Sequence, residues 1–155
     1  MDKGTQNQSA AEYKETEIYN KALTSFSDGI EKIGESIKIP LEKLETGNYS
    51  EEELVTIFAY LKVRKQYFRS GYFKERICRR LKKCCLNEDQ KETLRIIIIE
   101  QINYARREFS AIMHLIPWVS SNDFEEKLKK HGETGNLFIK GRVDRIISTY
   151  FKDRR

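Results

Sequence analysis

The chain has 155 residues, long enough for one domain with a real core, and 34% of them are charged while only two are proline. With 39% apolar residues the composition is globular, and no run reaches the roughly 18 apolar residues of a spanning helix. Abundant charge with little Gly and Pro suits helices that each bury one stripe and wet the rest. The expectation is all-α: a single compact bundle of six or seven helices around a central hydrophobic helix at about 88–116. The net charge of +5 hides an asymmetry. Residues 1–56 hold twelve acids and six lysines, and the remainder holds 23 bases and 12 acids.

In chain order, residues 1–9 (MDKGTQNQS) are polar and read as a disordered tail, followed by one helical domain over 10–155. Ser9 and Glu12 fit a capping box, in which each side chain satisfies a free backbone N–H at a helix start. Tyr19, Leu23, Phe26, Ile30, Ile33 and Ile37 recur at alternating four- and three-residue intervals, a helical stripe ending before Pro40. It reads as core, or as a seam through which two copies pair into a homo-oligomer. A short helical turn follows from Pro40 to Glu45, stopped by Gly47.

Ser50 and Glu53 form a second capping box, with Glu51, Glu52 and Glu53 matched to the positive end of the helix dipole. The helix that follows buries Leu54, Ile57, Phe58, Leu61 and Phe68. Tyr60, Val63 and Tyr67 form a second stripe on the far side, and Ser70-Gly71 breaks the run. Residues 72–86 place Phe73, Ile77, Cys78, Leu81, Cys84 and Cys85 on one side of a helix, with Arg76, Arg79, Arg80, Lys82 and Lys83 on the other. Asn87 and Gln90 make a third capping box, opening the central helix through Leu94, Ile98, Ile102, Ala105, Phe109, Ile112 and Ile116. Four isoleucines, 96–99, leave that helix no polar side for one turn, and Pro117 ends it. Asn122 with Glu125 opens another helix, stopped by Gly132. A turn over 133–136 leads into a last helix with Ile139, Val143, Ile146, Ile147 and Tyr150 inward.

Function is hinted at by one segment. Ten of the 22 residues from Lys62 to Lys83 are cationic, opposed by Glu75 alone, with aromatics threaded between. Crowding like charges costs self-repulsion, which a polyanion or an acidic partner relieves. Cations for phosphates interleaved with aromatic faces for bases are what sequence-tolerant nucleic-acid binding requires. The residues expected to carry it are Arg64, Arg69, Arg76, Arg79, Arg80, Lys82 and Lys83, with Tyr60 and Tyr67 stacking on bases. Tyr72 is a further candidate for exposure. Bases near the carboxy terminus, including Lys130, Lys140 and Lys152, extend the patch. The leading expectation is a small non-catalytic accessory protein that binds RNA or DNA with little base specificity. The alternative is a protein–protein interaction module (adaptor, inhibitor or complex subunit) whose basic face docks on an acidic partner. A third is docking of helix 72–86 on an anionic membrane.

Other constellations point to less. Cys78, Cys84 and Cys85 lack the paired spacing of a zinc site and fit no disulfide framework, so they read as small buried hydrophobes. No metal and no cofactor is expected. Without a secretory signal or a disulfide framework, the expected location is intracellular: cytoplasm, or nucleus given the run Arg79-Arg80-Leu81-Lys82-Lys83 in a eukaryote. No glycine-rich phosphate loop, nucleophile–His arrangement or convergent carboxylate pair is present, which disfavours an ordinary enzyme. His131, next to Gly132, reads as a dipole partner at a helix carboxy terminus.

Arg107 and His114, on one expected helix and off its apolar stripe, resemble the Arg-x4-6-His signature of HEPN ribonucleases, themselves small helical domains that pair. The resemblance implies that Arg107 steadies phosphate charge and His114 acts as acid or base. Glu108 departs from the neutral polar residue usual after that arginine. Residues 122–151 resemble a helix-turn-helix in outline. Their second helix opens with Leu137-Phe138-Ile139, where base-reading side chains belong, so major-groove readout is not expected.

Overall fold

A computed structural model describes residues 33–62, 70–104 and 109–152, without the side chains of 33–36 and 70. Among these residues every regular element is a helix and no strand occurs, so the all-α expectation holds. Six helices have 12 to 15 residues: α1 (Ile33–Thr46), α2 (Glu51–Lys62), α3 (Ser70–Leu81), α4 (Glu88–Ile102), α7 (Asn122–Thr134) and α8 (Leu137–Tyr150). Two short ones, α5 (Phe109–Met113) and α6 (Ile116–Val119), lie between α4 and α7. The chain divides into two compact units, Met1–Ser70 and Gly71–Arg155.

In the first unit α1 and α2 pack together. The helix does not stop before Pro40; Pro40 lies inside α1. One missing N–H costs less than abandoning the stripe, because Ile37, Leu41 and Leu44 are all buried along one face. Gly47, at φ +78°, then ends α1 in a Schellman motif: Asn48 N–H donates to Lys43 O (3.0 Å) and Gly47 N–H to Leu44 O (3.2 Å). The box at the start of α2 forms as expected, with Ser50 N–H donating to Glu53 Oε2 and Glu53 N–H to Ser50 Oγ. Lys43 also donates to Glu53, tying α1 to α2, and that ammonium holds the Glu53 carboxyl below its ordinary pKa, helped by the Ser50 N–H. Of the Tyr19–Ile37 stripe, Ile37 is the one side chain among the described residues, so the pairing seam lies outside them.

In the second unit α4 touches α5, α6, α7 and α8, and so fills the central role, though over a shorter span than expected. Its capping box forms (Asn87 with Gln90), but α4 ends at Ile102 rather than near 116. Two features replace the next turn. Asn103 and Tyr104 bond back three residues, to Glu100 O and Gln101 O, tightening the end of the helix. Arg142, from α8, then donates Nη1–H to Ile102 O (3.3 Å) and Tyr104 O (2.6 Å), satisfying carbonyls that further helix would have used. Its guanidinium lies between the rings of Phe109 and Phe138, centroids 3.8 and 4.4 Å away. Burial pushes the Arg142 pKa down from its ordinary value.

The isoleucine turn is not uniformly buried: Ile97 and Ile98 are, while Ile96 is exposed. Buried polarity comes from Arg95 instead, whose Nε–H donates to Val119 O (2.6 Å) with Glu92 and Glu88 on its outer nitrogens. Gln101 is also buried, and neither its Nε2 nor its Oε1 has a partner among the described residues. Each unsatisfied buried group costs about 1–3 kcal/mol. Gln101→Met, which keeps the length and removes both polar atoms, is therefore expected to stabilise the fold by about 1–3 kcal/mol, read from its urea midpoint.

Helices α7 and α8 form a close hairpin. Ser121, one residue before the expected Asn122, caps α7 through Phe124 N–H (3.1 Å). Gly132 does not stop α7, which runs on to Thr134. Glycine serves close approach there, since a Cβ would meet Val143 Cγ1 at 2.9 Å. The turn expected over 133–136 is shorter, since Glu133 and Thr134 belong to α7, and Asn136 caps α8 through Ile139 N–H.

Candidate functional site

The basic segment divides sharply by burial. Tyr60, expected to offer a ring, is 0% exposed, so it cannot stack on a base; α2 is buried from Ile57 through Leu61 without the open second face its sequence suggests. Lys74, counted with the cations, is also buried. Lys62 is half-buried and already engaged. Arg64, Arg69 and Tyr67 lie outside the described residues.

What faces water is the outer side of α3 and the turn after it. At 100° per residue Tyr72, Arg76 and Arg79 share one face. Tyr72 is 52% exposed, and the Arg76 guanidinium lies 5.8 Å from its ring centroid. Arg79 and Lys83 are exposed, and Arg80 and Lys82 half so. Arg79, Lys82 and Lys83 form no ion pair among the described residues, whereas Glu88, Glu92 and Glu125 of the same unit are each paired. Lys127, then Arg95, holds the Glu92 carboxyl below its ordinary pKa. These local pairs leave Arg79, Lys82 and Lys83 with no paired carboxylate among the described residues. The negative end of the α3 dipole favours cations in its last turn, yet that field does not reach back to Arg76.

Helix α3 ends at Leu81 instead of running to 86: Lys83 and Cys84 bond back three residues, to Arg80 O (2.9 Å) and Leu81 O (3.1 Å). The cysteines therefore do not share a buried face. Cys78 is buried, Cys84 is half-buried and Cys85 is exposed. No cluster of three possible metal ligands occurs among the described residues.

A cleft of about 290 Å³ opens between α3 and α5, lined by Glu75, Cys78, Arg79, Lys82, Ser110, Ala111 and His114. It joins two features more than 30 residues apart in sequence: Arg79 and Lys82, neither ion-paired among the described residues, and His114, exposed just beyond α5. Three nitrogen-bearing side chains and one hydroxyl face a single carboxylate, Glu75. Such a cleft can seat an oxyanion. Arg107, the other half of the Arg–His pair, lies outside the described residues.

Beside the cleft stands Trp118, 46% exposed, with Lys82 Nζ 5.6 Å from its ring centroid. Sequence reasoning gives Trp118 no role. The available signal is position: the sole tryptophan follows Pro117 and sits off the stripe of Ile112, Ile116 and Val119. A larger groove of about 430 Å³ between α7 and α8 carries Lys129, Lys140 and Lys152 but also Glu125, Glu133 and Asp144. Its mixed rim offers no net charge to a polyanion, so the expected extension of the patch through Lys140 and Lys152 is cancelled locally. His131 lies in the last turn of α7, as read from sequence, with Nε2 2.8 Å from Asn103 Oδ1.

Comparison with protein families, curated proteins and solved structures found no match to the chain. Among the described residues no helix is long and apolar enough to cross a membrane.

Proposed function

We propose that the chain is a non-catalytic accessory protein that binds nucleic acid through its phosphates, with little base specificity, at the α3–α5 cleft. The observation that carries this reading is the convergence of Arg79 and Lys82, neither ion-paired among the described residues, with His114 on one opening. A phosphate diester presents the charge these groups lack, and a run of diesters engages Arg76 and Lys83 on the same exposed side. Arginine adds bidentate geometry that lysine cannot supply. Tyr72, already beside Arg76, gives the track an aromatic neighbour.

A second reading, a protein-interaction module, draws on a different surface. Leu137 is 88% exposed and Phe138 45%, both on the first turn of α8. Such a contact has an apolar centre and tolerates salt.

Salt separates the two. Phosphate-driven binding is expected to weaken with log[salt] at a slope of about −0.7 to −0.9 per phosphate neutralised, hence about −2 to −3 for three phosphates held by Arg79, Lys82 and Lys83. Filter binding of a mixed-sequence oligonucleotide across a salt series measures that slope. A flat dependence contradicts the reading.

A further inference from the structure

We infer that the ligand of this surface is single-stranded, with an unpaired base stacking on Trp118 while its phosphate sits in the α3–α5 cleft. This rests on the phosphate reading and deepens it. The carrying observation is the double placement of Lys82, which lines the cleft and also lies over the Trp118 ring, 5.6 Å from its centroid. Cleft and ring are therefore within the reach of one lysine side chain, the scale of one nucleotide.

The turn that carries the ring is anchored before any ligand arrives. Trp118 belongs to α6, whose Ile116 and Val119 are buried on either side of it. The backbone N–H of Trp118 donates to Leu115 O (3.0 Å). The carbonyl of Val119 takes the Nε–H of buried Arg95, which fixes α6 to the central helix. An indole half open to water on so anchored a turn is a platform rather than a loose side chain, and anchoring lowers the ordering cost of binding.

A duplex keeps its base faces within the stack, so it can offer phosphates to the cleft but no face to the indole. A single strand offers both. On binding, the Lys82 ammonium, lightly held over the ring, is free to turn to the phosphate as a base takes its place. Every base has a π-face, so this contact adds affinity without sequence preference.

Trp118 is the only tryptophan in the chain, so its fluorescence reports the contact directly. The full chain is titrated with oligothymidylate and oligouridylate of about a dozen nucleotides, an abasic strand of equal length, and a duplex. The inference expects quenching by either base-bearing strand, none by the abasic strand, and weaker binding of abasic strand and duplex. Trp118→Ala, with helicity checked by circular dichroism, is expected to lower single-strand affinity by roughly 5- to 150-fold and leave abasic binding unchanged. Equal affinities for all ligands, without quenching, overturn the stacking and leave the phosphate reading standing. No binding of any of them overturns both.

Discussion

Reversing Arg79, Lys82 and Lys83 to glutamate is expected to weaken oligonucleotide binding by about 100-fold or more at low salt and to flatten its salt dependence. These residues form no ion pair among the described residues, so their loss strands no buried partner. Arg76 and Arg80 are left alone because each has a contact of its own and neither lines the cleft; Lys82, although it lies over the exposed Trp118 ring, lines the cleft and is included. A matched control reverses Lys130, Lys140 and Lys152, all exposed, which changes net charge equally. Overall charge acts on association at a distance, whereas a seat for phosphate acts through particular contacts. The control is therefore expected to cost far less. Equal losses in the two variants, measured by filter binding, contradict a localised site.

Arg142→Ala is expected to destabilise the fold by about 2–4 kcal/mol. The side chain makes charge-assisted hydrogen bonds to Ile102 O and Tyr104 O and lies between two aromatic rings. Removing it leaves the end of α4 without its cap and opens space between Phe109 and Phe138. Arg142→Lys is expected to recover less than half, because an ammonium neither fills the planar slot nor presents the same fork of donors. Urea unfolding followed by circular dichroism measures both. An Arg142→Ala midpoint within error of the parent contradicts the role assigned to this side chain in ending the central helix.

The local grammar of the chain is readable from sequence because it is chemically local. Ser50–Glu53, Asn87–Gln90 and Gly47 act within a few residues of themselves, and each does in the structure what its type and spacing imply. The errors lie where a distant residue decides. Helix α4 stops at Ile102 because Arg142, 40 positions later, reaches its carbonyls. Helix α7 passes through Gly132 because Val143 packs where a Cβ would stand. Pro40 sits inside α1 because burying Leu41 and Leu44 outweighs one lost hydrogen bond.

The candidate site is legible by half for the same reason. Residue type and the helical period mark Arg79, Lys82 and Lys83 as cations facing water, although Lys82 and Lys83 fall in the turn after α3 rather than on it. Burial of Tyr60 and Lys74 depends on what covers them, which no periodicity carries. His114 and Trp118 reach the cations of α3 only through the fold of the second unit, so their relation to the basic run has no linear signature.

The central claim is that the α3–α5 cleft is where phosphate binds. Its most direct test is a heteronuclear NMR titration of the full chain with a short single-stranded oligonucleotide. The account predicts saturable shifts centred on Arg79, Lys82, Ser110, His114 and the Trp118 indole N–H, reversed by added salt. Shifts centred on the α7–α8 groove or on Leu137 and Phe138, or none at all, would contradict it.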